Sequence, residues 1–361
     1  MTRRTPLHSA HLELGAKMAD FGGWDMPIEY AGTVVEHTTV RESVGVFDVS
    51  HMGKVRITGP GAIDFVNSMV ANDIDRIGAG QAQYSMLCND AGGIVDDLIV
   101  YRLSDDEVFI VPNAANAATV VAALEQGAPE GILVENQHDD LGIIAVQGPQ
   151  SADVLRTLGL PCDHDYMSVV KGAYADQDLL VCRSGYTGEL GFELIVPAEN
   201  LVALWTAVVG AAQDLGGGPA GLGSRDTLRT EMGYPLHGQD ISPTVSPVEA
   251  GLGWALGWDK PAFLGKATLV TQREQGPTRR LRGLQSEGRA IPRAHMQVTD
   301  AEGRVLGEVT SGTFSPTLRI GIALALLDST VQGGDEVMVD IRGRSMPFMV
   351  AKPPFVPPHV R

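Results

Sequence analysis

The sequence predicts an α+β protein that ends in a small all-β barrel domain. Short strand-like runs joined by tight turns dominate the chain before residue 271, together with a few amphipathic helices. Antiparallel hairpins mixed with helices in this way are typical of the α+β class. After a polar segment at 271–282, which we interpret as a linker, short strands follow one another closely, as in a barrel.

The clearest local feature is a β-hairpin. Strand-like runs at 83–88 and 94–103 flank the turn 89–93, whose sequence Asn-Asp-Ala-Gly-Gly supplies the glycines that such loops need. A short turn then leads into a third strand at Glu107–Pro112. Strands joined by such short turns form an antiparallel sheet, because parallel pairing would require long crossovers.

Helices are fewer, and each is predicted from apolar residues that recur at helical spacing. They are expected at 201–215, after Gly59 and Pro60, from Pro149 onward, and in an alanine-rich stretch that Asn113 caps and that ends before Gly127. The first is the clearest, because the glycines at 216–218 end it. The barrel strands are expected at 305–309, 321–326 and 336–339.

Composition and motifs exclude several functional classes. With 44 acidic and 27 basic residues the chain carries a net charge of −17, which argues against nucleic-acid binding. The sequence has no apolar run of about 20 residues, the length that spans a membrane. Three scattered cysteines and dispersed histidines favour a cytoplasmic, reduced protein without a metal site. The motif at 221–226 lacks the third glycine of a dinucleotide-binding loop.

Asp96 and Asp97 are the most informative acidic residues. They stand near the start of a strand that continues with apolar residues, and side chains alternate along a strand, so the two carboxylates point to opposite faces. A strand that is apolar on both faces is covered on both, so at least one acid is expected to face something other than bulk water and to meet a hydrogen-bond donor or a cation. The alternative is that both acids simply complete the hairpin turn.

Glu193, Tyr186 and Arg225 are further candidates for ligand contact. Glu193 follows a glycine-rich loop that also carries Tyr186, and a carboxylate accepts two parallel N–H donors such as those of an aminopyrimidinone. The alternative for Glu193 is an edge-strand glutamate behind a hairpin. Arg225 either contacts a ligand or pairs with Asp226 or Glu231.

His51 lies within four residues of Asp48 and Ser50, which resembles a catalytic triad in composition. Triad members come from separate parts of a fold, so a capped turn is the favoured interpretation and a catalytic base the alternative.

Eleven short stretches, spread over almost the whole chain, carry a resemblance to a known family. They lie at 5–7, 21–27, 47–53, 92–100, 113–116, 147–149, 185–193, 219–226, 238–240, 311–318 and 352–355. In content and order they resemble the aminomethyltransferase (T-protein) family of the glycine cleavage system. The resemblance implies a three-lobed fold: a core at 1–275 of two interlinked α+β lobes with antiparallel sheets, the second lobe roughly at 53–140, and a C-terminal β-barrel at 276–361.

The resemblance also implies a reaction. The methylene carbon of an aminomethyl-lipoyl arm, carried by the H-protein, would pass to tetrahydrofolate with release of ammonia. No metal would take part. Two alternatives remain on this scaffold, a folate-dependent demethylase of a small methylated compound and a non-catalytic folate-binding protein in iron–sulfur or tRNA maintenance.

Individual roles follow from the same resemblance. The family's key aspartate corresponds to Asp97, and a carboxylate beside the reacting amine can orient it, stabilise positive charge and accept a proton. The other matched positions bind folate or substrate: Glu193 as the pterin-binding glutamate, Arg225 as a folate-binding arginine, Tyr84 and Tyr186 along the cleft, Met52 as an apolar neighbour and Arg361 as a C-terminal contact.

Overall fold

A computed structural model describes residues 2–288 and 290–361. The chain divides into two compact units. The first unit comprises the residues up to Ser85, together with Asp97–Arg225 and His359–Arg361. The second unit comprises Met86–Asp96 and Asp226–Pro358.

The helices carry the numbering of the chain. They are α1 (His8–Glu13), α2 (Thr33–Glu42), α3 (Ala62–Met69), α4 (Ala117–Gly127), α5 (Ser151–Thr157), α6 (Leu201–Asp214), α7 (Leu222–Met232) and α8 (Lys266–Gln275). Short 3-10 turns lie at Ile74–Arg76, Ala198–Asn200 and Gly253–Ala255.

The strands of the first half of the chain are β1 (Lys17–Phe21), β2 (Trp24–Glu29), β3 (Gly45–Asp48), β4 (Val55–Thr58), β5 (Gln81–Cys88), β6 (Ile94–Arg102), β7 (Glu107–Pro112), β8 (Leu133–Asn136) and β9 (Leu141–Gln147). Those of the second half are β10 (Val169–Tyr174), β11 (Gln177–Cys182), β12 (Gly191–Pro197), β13 (Gly218–Pro219), β14 (Arg279–Ser286), β15 (Gln297–Thr299), β16 (Val305–Ser315), β17 (Ile320–Asp328), β18 (Glu336–Asp340) and β19 (Ser345–Ala351).

A six-stranded sheet forms the main core of the first unit, in the order β10-β11-β12-β9-β3-β13. Helix α6 covers it with an apolar face that includes the buried side chains of Leu204, Trp205 and Val208. Burial of each such side chain stabilises the fold by about 1.5–3 kcal/mol. The sheet order places β12 between two neighbours, so Glu193 is not on an edge strand, and that alternative is wrong.

A five-stranded sheet has the order β5-β6-β7-β4-β8 and contains the predicted hairpin. The first four side chains on one face of β6, from Ile94 to Val100, are buried, whereas those at 95, 97 and 99 on the other face are partly accessible. Asp96 lies on the buried face and is 0% exposed, whereas Asp97 lies on the other face. The prediction that the two carboxylates point to opposite faces is therefore confirmed.

The last strands close a six-stranded barrel in the order β14-β17-β16-β15-β18-β19, as the sequence predicted. Its interior is apolar and includes Leu284, Val298, Val309 and Phe348. The segment interpreted as a linker is mostly regular, because α8 extends to Gln275 and β14 begins at Arg279. Polar side chains misled the prediction, since both elements have one solvent-facing side.

Two helix starts also differ from the prediction. The helix expected from Pro149 begins at Ser151. Helix α4 begins at Ala117, after Asn116, and Asn113 does not cap it. The side chain of Asn113 is engaged elsewhere, as described below. Among the residues that the structure describes, no helix combines the length and apolar character needed to cross a membrane.

Candidate active site

Asp97 is held in one orientation by two neutral side chains of the first unit. The hydroxyl of Tyr84 donates to Asp97 Oδ2 over 3.0 Å, and Asn113 Nδ2 donates to Asp97 Oδ1 over 2.8 Å. The same Asn113 nitrogen lies 2.8 Å from the backbone oxygen of Asp97. Both carboxylate oxygens are thus positioned by directed bonds on the partly accessible face of β6. Asp97 is more than a turn residue.

Glu193 ends a short chain of hydrogen bonds. The hydroxyl of Ser184 donates to Glu193 Oε2 over 2.6 Å, and Tyr101 Oη lies 3.1 Å from Ser184 Oγ. Because the single proton of Ser184 goes to the carboxylate, the Tyr101 hydroxyl must donate to Ser184. Burial, reinforced by the nearby Cys182 and Glu193, raises the pKa of Tyr101 far above its usual value, so the phenol keeps its proton.

The hydrogen-bond chain through Tyr101 connects the five-stranded sheet with the six-stranded sheet. Tyr101 lies on β6 and Glu193 on β12, in different sheets. Asp97 and Tyr101 share a face of β6, because side chains four residues apart in a strand point the same way. At about 3.3 Å per residue their Cα atoms lie about 13 Å apart. One strand therefore sets the spacing between the Asp97 carboxylate and the anchor of Glu193.

Tyr186 and Arg225 form a stacked pair. The guanidinium carbon of Arg225 lies 4.5 Å from the centre of the Tyr186 ring, within the range of a cation–π contact. Of the two acids considered as structural partners of Arg225, Asp226 accepts from Arg229, and Glu231 accepts from Ser315 and Thr317.

The loop that carries Tyr186 is fixed by the side chain of Gln147. Gln147 Nε2 donates to the backbone oxygen of Ser184 over 3.1 Å, and the Thr187 hydroxyl donates to Gln147 Oε1 over 2.9 Å. A Cβ atom at Gly185 would lie 2.0 Å from Gln147 Oε1, so only glycine allows this close approach. The glycine-rich sequence thus produces a tightly packed loop.

Asp48, Ser50 and His51 form a capped turn, and the triad interpretation is wrong. The Ser50 backbone nitrogen donates to Asp48 Oδ1 over 2.8 Å, while Asp48 Oδ2 is bound to Thr5 and His11. His51 is 2% exposed, and burial, followed by the charge of Arg225, lowers its pKa to about 3. An enclosed imidazole of such low basicity is a poor general base.

Met52 and Arg361 complete the predicted set. Met52 is half-buried and closes the turn after His51, with its nitrogen 3.0 Å from the oxygen of Val49. Arg361 is exposed. Burial raises the pKa of Tyr166, the charge of Arg361 opposes this rise, and the charge of Glu193 reinforces it. Arg361 and Glu193 thus act on the same phenol.

All seven predicted site residues lie in the first unit, in three groups. Asp97 and Tyr84 are in direct contact, Tyr186 and Arg225 are in direct contact, and Glu193 is joined to the face of Asp97 through Ser184 and Tyr101. Sequence reasoning missed three supporting residues, Asn113, Ser184 and Tyr101. Of these, only Tyr101 had a usable signal, its even spacing from Asp97 along one strand.

Within residues 2–288 and 290–361 no group of three or more His, Cys, Asp or Glu side chains is arranged to hold a metal ion. The three cysteines are buried. Burial raises the pKa of Cys88 to about 12, so its thiol is a poor nucleophile.

Two family models match the chain in succession. The GCVT N-terminal domain matches residues 7–260, and the glycine cleavage T-protein C-terminal barrel domain matches residues 279–357. The chain belongs to the glycine cleavage T-protein family. The family and fold class predicted from the sequence are confirmed.

Curated relatives agree over almost their entire length. A protein of Frankia alni named aminomethyltransferase is 58% identical over 357 residues, which is 98% of each chain. One of Mycobacterium tuberculosis with the same name is 52% identical over 353 residues, covering 97% of this chain and 96% of the relative. The predicted enzyme class, an aminomethyltransferase, is confirmed.

A solved structure shows the same fold. The glycine cleavage system aminomethyltransferase T from Bartonella henselae superposes with a TM-score of 0.95 at 36% identity and covers 99% of both chains.

Proposed function

We propose that this T-protein family member transfers the methylene carbon of an aminomethyl-dihydrolipoyl H-protein to tetrahydrofolate and releases ammonia. The names of its curated relatives and of the similar solved structure support the aminomethyl transfer. The observation that carries the proposal within this chain is the pair of oriented carboxylates, Asp97 and Glu193, linked through one face of β6.

The residues present fit a reduced pterin. Glu193 is a carboxylate whose orientation is fixed by a charge-assisted hydrogen bond, and a carboxylate can accept two parallel N–H bonds from an aminopyrimidinone edge. The Tyr186 and Arg225 pair offers a flat cationic surface, which suits an aromatic ring or a carboxylate tail. We assign Glu193 and Arg225 to folate binding, with Tyr84, Tyr186, Met52 and Arg361 as further contacts.

Asp97 is the catalytic residue of this proposal. When bound, tetrahydrofolate supplies two amine nitrogens that take up the carbon. In the balanced reaction, the carbon–sulfur and carbon–nitrogen bonds of the aminomethyl arm break and two new carbon–nitrogen bonds form. The products are methylenetetrahydrofolate, ammonia and the dihydrolipoyl arm. Asp97 orients the attacking amine, stabilises its developing positive charge and accepts its proton.

Tyr84 and Asn113 are positioning residues for that step. Each donates to a different oxygen of Asp97, so the carboxylate cannot rotate away without losing a bond. Holding a catalytic group in a reactive geometry lowers the entropic part of the activation barrier.

Partner, location and domain division belong to the same proposal. The lipoylated H-protein is the carbon donor, and the enzyme acts in the cytoplasm without nucleic acid or membrane partners. The catalytic core spans 1–275, with a second lobe roughly at 53–140, and the barrel domain spans 276–361. The interval between the two family-model matches, from residue 260 to residue 279, supports the last boundary.

Ammonia release tests the proposed function. The enzyme is incubated with aminomethylated H-protein, with and without tetrahydrofolate, and ammonia and methylenetetrahydrofolate are both measured. We expect folate to accelerate ammonia release and the two products to form in equal amounts. Folate-independent release, or ammonia without methylenetetrahydrofolate, would refute the transfer. H-protein without the aminomethyl group is the matched control.

A further inference from the structure

The barrel of the second unit has an open groove beside the start of β14. This strand pairs with β17 from Arg279 to Gln285, but it pairs with β19 only from Gly283 onward. Among the described residues, no strand therefore pairs with the first half of β14 on its other side. A groove of about 510 Å³ lies beside this end of β14, and Arg280, Arg282, Ser329 and Gln332 contribute to its lining.

Two arginines share one face of β14 in this groove. Side chains two residues apart in a strand point to the same face, so Arg280, Arg282 and Leu284 lie on one side of β14. Leu284 belongs to the apolar barrel core. Both arginines are half-buried at the mouth of the barrel. Among the described residues neither lies within 4.0 Å of a carboxylate oxygen, although acidic residues outnumber basic ones by 44 to 27.

Arg282 has an unsatisfied donor. Its Nη2 donates to the backbone oxygen of Val331 over 3.0 Å, but its buried Nε has no hydrogen-bond partner within the described part of the chain. Burial and the charge of Arg280 lower the pKa of Arg282, and the charge of Asp335 opposes them only in part. Two like charges held side by side, one with an unpaired N–H group, favour an anion between them.

We propose that Arg280 and Arg282 bind an oxyanion of the phosphate class at the mouth of the barrel. Guanidinium groups match the oxygens of phosphate with paired N–H donors, and Ser329 and Gln332 add neutral polar groups around them. Among the described residues the lining includes no aromatic side chain, so they offer no surface on which a nucleobase could stack. The ligand is inorganic phosphate or the phosphate group of a small ester. The site does not depend on the proposed transfer reaction.

Calorimetric titration of the full-length chain tests this site. Inorganic phosphate and glycerol phosphate are titrated separately at constant ionic strength, with chloride as the background anion. We expect saturable binding of one phosphate group per chain, and the tighter of the two ligands identifies the source. Arg280→Gln should weaken that binding about ten-fold, the effect of losing one charge-assisted hydrogen bond.

Arg304→Gln is the matched control, because Arg304 is an exposed arginine of the same barrel that pairs with Asp300. This variant should bind phosphate as the wild type does. Arg282→Gln should also weaken binding, but it removes the hydrogen bond to Val331 as well. Arg280 gives the cleaner test, because within residues 2–288 and 290–361 its side chain makes no hydrogen bond whose loss could destabilise the fold. Absence of saturable binding in the wild type, or equal affinity of wild type and Arg280→Gln, would overturn the proposal.

Discussion

Removal of the Ser184 hydroxyl probes the hydrogen-bond chain behind Glu193. Ser184→Ala deletes a bond to a carboxylate, which costs about 1.5–3 kcal/mol of unfolding free energy, and leaves the buried Tyr101 hydroxyl without its acceptor, which costs about 1–3 kcal/mol more. The second cost lies at the low end, because the sulfur of Cys182 is a weak acceptor beside the phenol.

The double variant makes the argument quantitative. Tyr101→Phe alone should cost about 1 kcal/mol, because the Ser184 bond to Glu193 remains. In Ser184→Ala, however, the same Tyr101→Phe change removes the unpaired hydroxyl and should raise stability by about 1 kcal/mol. Urea unfolding measures all four free energies, with Ser9→Ala on the exposed side of α1 as the control. If the losses of unfolding free energy in the two single variants simply add in the double variant, the hydrogen-bond chain from Tyr101 through Ser184 to Glu193 does not exist.

Two further predictions concern Lys54 and Glu193. Lys54 is 0% exposed, and burial lowers its pKa from 10.5 to about 7. Keeping it charged therefore destabilises the fold by up to about 5 kcal/mol below pH 7, and this cost disappears as the pH rises to 10.5. Lys54→Met should be more stable than the wild type at pH 7, with an advantage that shrinks by pH 9.5 in urea unfolding; a constant difference would contradict the lowered pKa. Glu193→Ala should weaken tetrahydrofolate binding by about 1.5–3 kcal/mol in an equilibrium titration, and unchanged affinity would exclude the pterin role.

Features governed by neighbouring residues could be predicted from the sequence. The glycines at 92–93 define the turn before β6, and the apolar spacing of Leu201, Leu204 and Val208 defines α6. Alternation along β6 correctly separated Asp96 from Asp97, because it is a property of any extended chain.

Features governed by long-range pairing could not. Asn113 is of a residue type that often caps helices. Its amide nevertheless donates to Asp97, which is sixteen residues away in sequence and adjacent only in the folded sheet. Glu193 resembled an edge residue because nothing near it in sequence reveals that β9 pairs with β12. The Tyr101 to Ser184 bond spans 83 positions, so no local pattern could indicate it.

The roles of individual residues came from the family resemblance rather than from local pattern. From pattern alone Arg225 was as compatible with a salt bridge as with a ligand. The structure shows it stacked on Tyr186, a contact that helical spacing does not predict.

The rate of ammonia release by Asp97→Asn tests the central claim most directly. The substitution keeps the size of the side chain and removes its charge, so tetrahydrofolate affinity should stay close to that of the wild type. Turnover of aminomethylated H-protein should fall by about 10²–10⁴-fold, the effect of losing a positioned acid–base group. Asp64→Asn, an exposed acid on α3, is the matched control and should retain full activity. Turnover by Asp97→Asn near the wild-type rate would contradict the account.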